Sequence, residues 1–170
     1  MERHRPTEED GLEALRGHLL ERALLARERH GPVTDLAALE RLLGDPEVVR
    51  FPVLVTFSDE PLLRGEFAHA LPLGEQAADG FELCLRPCLR DEPAALVAAA
   101  LYHVPTVNYL DLATHAEAEL FGATVLGLEV EEYYERVCAI ADGLPEPFRV
   151  DPDELARAES AQRHLEGGAD

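Results

Sequence analysis

The sequence predicts an α+β domain, because helical periodicity at the N-terminus gives way to a cluster of short period-two segments and then to long apolar helical segments. Length and composition agree with this. A chain of 170 residues accommodates one domain with a real core, and 46% hydrophobic residues is ordinary for a globular protein. Residues 1–170 are therefore read as one domain, with a helical segment over 1–44, an α+β core over 51–143 and a peripheral helix over 150–166.

Thr7 with Asp10 marks a helix start, and Leu12, Leu15, Leu19, Ala23 and Ala26 recur near the helical period up to a stop at Gly31. A shorter helix follows from Thr34 or Asp35 to Leu43, with Gly44 placed to end it in a left-handed conformation. The period then changes. Phe51 to Phe57, Gly65 to Leu71 and Phe81 to Leu85 have strand character; Phe67, His69 and Leu71 fall on one face, and Phe81, Leu83 and Leu85 on another. Three strands joined by turn-rich connections this short favour a small, mainly antiparallel sheet.

The second half returns to helix. From about Asp91 the residues Ala94 to Leu101 are all apolar, the signature of a buried central helix. Pro105 disfavours helical geometry at the residue before it, so this helix is expected to stop by Val104, presenting His103 at its end ahead of a loop over 105–113. Thr114 with Glu117 forms a capping box for the next helix, which ends at Gly127. A further helix over 129–142 carries Tyr133 and Tyr134, and Asp151 with Pro152 starts a weakly amphipathic last helix.

Charge and composition restrict function. All fifteen basic residues are arginine against 34 acidic ones, and the net charge of −19 repels phosphate backbones and anionic lipid, so no nucleic-acid or membrane partner is expected. The longest apolar run is too short to span a bilayer, and the charged N-terminus does not resemble a secretory signal. A cytoplasmic location is expected, with Cys84, Cys88 and Cys138 as reduced thiols. Glycine-rich phosphate loops and nucleophile elbows are missing. Ser58 with Asp59 and Glu60 is no evidence for a hydrolase, and the Cys84/Cys88 spacing lacks a second cysteine pair.

Three polar side chains in the apolar helices form the candidate site: His103, His115 and Glu119. Each has a structural explanation as well. A histidine at a helix C-terminus interacts favourably with the unpaired carbonyls. Glu117 is accounted for by capping, and Glu119 has His115 one turn before it as a hydrogen-bond partner. His69 reads as a partly buried histidine of the sheet.

Strands, a buried helix ending in His, a loop and an acidic-headed helix with the apolar tail LFGATVLGL together resemble the minimal zincin metallopeptidase fold. In that family two histidines of an HExxH helix bind zinc, a glutamate acts as general base, and the following helix supplies an acidic ligand. The aligned residues here are Ala99, Ala100, Leu101, Tyr102 and His103, so the resemblance implies a scaffold that keeps the second histidine, with Glu117 or Glu119 as the acidic ligand. Ala99 stands for the first histidine and Ala100 for the general base. Alanine neither coordinates a metal nor accepts a proton, which excludes ordinary zincin hydrolysis here. The leading expectation is a non-catalytic zincin-like domain acting through protein interaction, as a homo-oligomer or with a protein partner. Two alternatives stand beside it: a zinc-binding protein or hydrolase with an atypical site at His103, His115 and Glu119, and a small-molecule binding module with its pocket between sheet and central helix.

Overall fold

A computed structural model describes residues 5–145 and the isolated positions 153, 156, 157 and 160; the expected last helix over 150–166 lies largely outside the described residues. The fold is α+β. Helices α1 (Glu8–His30) and α2 (Leu36–Leu43) precede strands β1 (Val53–Phe57), β2 (Ala68–Pro72) and β3 (Phe81–Leu85), and helices α3 (Pro93–Tyr109), α4 (His115–Leu126) and α5 (Val130–Asp142) follow.

The predicted caps at the starts of α1, α2 and α4 form. Thr7 and Asp10 make a reciprocal capping box, the Asp35 carboxylate accepts from the Ala38 amide at 2.9 Å, and Thr114 and Glu117 make the second box. Gly127 ends α4 in the left-handed conformation at φ +69°, whereas Gly44 ends α2 right-handed at φ −82°, contrary to expectation. Only Leu19, Ala23 and Ala26 of the α1 stripe are buried, and Leu12 stays exposed.

The sheet has the order β1-β3-β2. Each strand reverses the direction of the one before it, as expected, but β3 inserts between the other two. It therefore pairs antiparallel with β2 and parallel with β1, and the sheet is mixed. The central place goes to the strand with most to bury: Phe81, Leu83, Cys84 and Leu85 are all inside. The expected face of β2 needs correction. Phe67 and Ala68 are buried and His69 is exposed, so the Phe67/His69/Leu71 alternation does not persist through the start of the strand.

The central helix also departs from expectation. It continues through Pro105 to Tyr109, because Val104, Pro105, Val107 and Asn108 are all buried and their packing outweighs the lost backbone hydrogen bond. His103 is therefore six residues before the end of α3, and the expected loop is helix followed by a short 3-10 turn, Leu110–Leu112. One hydrophobic cluster joins α1, α2, the sheet and the three C-terminal helices.

Two buried polar side chains tie irregular segments to this core. Asn108, the chain's sole asparagine, donates to the Val48 carbonyl at 2.9 Å and accepts from the Arg50 amide at 2.7 Å, fastening the α2–β1 connection. Arg86 is 0% exposed and donates to the carbonyls of Glu66 and Leu63, both at 2.7 Å, and to Asp59 at 3.0 Å, organising the β1–β2 connection.

Candidate functional site

His103 and His115, two of the three polar residues singled out from the sequence, lie on one surface cleft of about 470 Å³ between β2, α3 and the start of α4. His69 and Ala70 come from β2, Tyr102, His103 and Thr106 from α3, and Ala113, Thr114, His115 and Ala118 from the α4 entry. The extension of α3 past Pro105 builds this cleft, since it places Thr106 one turn from His103 and Tyr102 on the same wall.

His103 is largely buried beside Phe67 and Tyr102, whose rings lie 5.7 and 5.6 Å from its own. Burial, with the nearby His69 adding to it, lowers its pKa to about 4. It is thus a neutral imidazole at physiological pH, and the expected stabilisation of a cation at a helix end does not apply to it. His115, the first residue of α4, is hydrogen-bonded through Nδ1 to the Tyr102 hydroxyl at 2.5 Å, rather than to Glu119 as anticipated. Burial, then the Glu119 carboxylate, raises the Tyr102 pKa, so the phenol keeps its proton. The neutral phenol can donate to or accept from Nδ1, and the His115 Nε2 is the ring nitrogen that this bond leaves free.

Glu119 does not line the cleft. Its charge acts on Tyr102, Tyr133 and Tyr134. The structure thus brings His103 and His115 together, adds His69, and leaves Glu119 apart. Among the described residues no three His, Cys, Asp or Glu side chains are grouped so as to hold a metal ion. Glu117 is fully buried, and its carboxylate bonds Thr114 and Arg16, the latter at 3.4 Å. Burial pushes its pKa up, but the bonds from Thr114, from its own backbone and from Arg16 outweigh this and hold it low.

The remaining candidates are structural. Cys84 is buried with its thiol on the Ser58 carbonyl at 3.3 Å, and burial pushes its pKa up, as it does that of Cys88. All three cysteines are free. Ala99 and Ala100 are fully buried, so neither position opens onto the cleft. Sequence reasoning passed over Tyr102 and Thr106 as cleft residues, because the assumed break at Pro105 removed the turn that aligns them.

No described helix is long and apolar enough to cross a membrane. Comparison of the chain with protein-family models, with curated proteins and with solved structures finds no match.

Proposed function

We propose that this chain is a non-catalytic binding domain that holds a small carbonyl compound in the cleft between β2, α3 and α4, on a helix pair resembling that of the zincins. The observation that supports it most is the lining. Neutral His103, the His115 Nε2 and the Thr106 hydroxyl offer hydrogen bonds, and Ala70, Ala113 and Ala118 leave space between them. A carbonyl oxygen is the natural acceptor for such donors. Among the described residues no carboxylate lines this wall to act as general base.

The test is a ligand titration followed by ¹H–¹⁵N NMR, using cyclohexanone, N-methylacetamide and acetamide as probes. Saturable shifts at Tyr102, Thr106 and His115, lost in His115→Phe and weakened in Thr106→Val, are expected. Shifts absent for every probe would overturn the proposal. Elemental mass spectrometry of untagged, chelator-free protein provides a second check: near-stoichiometric zinc that vanishes in His103→Ala and Glu119→Ala would replace it with a metalloprotein.

A further inference from the structure

A second cleft, of about 440 Å³, lies on another part of the molecule, where the C-terminal end of α1, the first turn of α3 and the α4–α5 turn meet. Val33, Val97 and Val125, each at most 5% exposed, form its apolar wall together with Leu128. Two exposed arginines, Arg27 and Arg136, line the same space. In a chain with 34 acidic residues and 15 basic ones, two guanidinium groups beside one apolar cleft are a local reversal of the overall charge.

The Arg27 guanidinium lies across Gly127, with Nη2 2.9 Å from where a β-carbon would stand, and among the described residues its side chain has no ion pair or hydrogen bond. Among the described residues Arg136 has only a 3.7 Å contact with Glu132 on its own helix, both side chains being about half exposed. Ala94, in the first turn of α3, lines the cleft, and Glu92 provides no side-chain cap there. The cleft therefore combines available cationic donors with an apolar wall, and its volume is within the range of about 300–1,000 Å³ usual for small-molecule sites.

We propose that this cleft binds an amphipathic monoanion, a medium-chain carboxylate, whose head group is held by Arg27 and Arg136 and whose hydrocarbon chain lies on Val33, Val97 and Val125. Guanidinium groups bind carboxylates bidentately, and the valine wall gains from burying methylenes. The site is separate from the histidine cleft and stands or falls independently of it.

Isothermal titration of the full chain with octanoate, octanol and inorganic phosphate tests the assignment. Saturable one-to-one octanoate binding is expected, with octanol at least tenfold weaker and phosphate without measurable heat. The Arg27→Ala/Arg136→Ala variant should lose at least tenfold in octanoate affinity while keeping the wild-type unfolding midpoint, since both side chains are exposed. Octanoate that does not bind, or that binds the double variant as well as the wild type, overturns the proposal. Equal binding of octanol would reduce the cleft to an apolar groove, and equal binding of phosphate to a plain anion site; either result also overturns it.

Discussion

The sheet half and the helical half of this molecule each bury a large polar side chain completely, and they do so by opposite means. In the sheet half Arg86 carries a full charge into the interior and is surrounded by two carbonyls and a carboxylate. In the helical half Tyr133 carries a neutral hydroxyl to the Ala98 carbonyl at 2.8 Å, and its ring lies against Gly122, where an added β-carbon would fall 2.1 Å from the ring. Irregular backbone around the strands leaves carbonyls that need a donor, and a guanidinium provides several. Helices have satisfied their own backbone, so what α4 and α5 require is close approach, which glycine permits. Polar satisfaction thus holds Arg86 and steric fit holds Tyr133 against Gly122, while Asn108 and Glu117 show that the helical half also uses polar satisfaction.

Arg86→Met should be the most damaging change, because it leaves the part-buried Glu66 carbonyl without a donor, leaves the Leu63 carbonyl with only the Glu66 amide and breaks the ion pair with Asp59; a loss of roughly 4 kcal/mol is expected, at about 1–3 kcal/mol for the unsatisfied group plus the lost hydrogen bond and ion pair. Urea unfolding followed by circular dichroism reads it, and a loss below about 1 kcal/mol would show that water or side-chain rearrangement replaces the guanidinium. Gly122→Ala tests the helical half. The added methyl collides with a ring that is 0% exposed, for an expected loss of about 3 kcal/mol, at the upper end of over-packing costs. A neutral outcome would mean that α5 can move away freely, and the contrast between the halves would fail.

The seam between the halves is the histidine cleft, and acid probes it. With a folded pKa of about 4 against an ordinary 6.5, His103 favours folding only while neutral. Its contribution is fully present above about pH 6.5, declines as pH falls toward 4, and levels off below that. The linkage value at 1.36 kcal/mol per pH unit is roughly 3 kcal/mol, and about 2 kcal/mol is expected because His103 lies beside an open cleft. His103→Phe should flatten this part of the stability profile; an unchanged slope would assign the acid sensitivity to other groups. Tyr133→Phe has the smallest expected effect, about 1 kcal/mol for one buried neutral hydrogen bond. A loss as large as that of Gly122→Ala would make the hydroxyl, rather than the close approach, the specifying contact.

Local signals were legible where the chemistry is local. The Thr7/Asp10 and Thr114/Glu117 boxes, the apolar run of the central helix and the limits of β3 all follow from residues within a few positions of one another. His103 and His115 were recognisable as polar interruptions of apolar helices. Pro105 misled because the bias of a residue preceding proline is a local preference, and burial of Val104, Val107 and Asn108 overrides it. That error displaced the end of the helix and with it the assignment of Thr106. Glu119 was grouped with the histidines as a polar interruption of an apolar helix and, through the resemblance, as an acidic ligand, yet its charge acts among the tyrosines of α3 and α5.

The sequence by itself determined the α+β class, the order of elements and which helices are buried, because periodicity and capping act through neighbours along the chain. Only the tertiary structure decided that β3 lies between β1 and β2, that Arg86 and Asn108 serve backbone groups 20 to 60 residues away, and that His69 joins His103 and His115 at one cleft. Those outcomes depend on side chains meeting across long stretches of chain, and which pairs meet is set by the shared burial of the whole core.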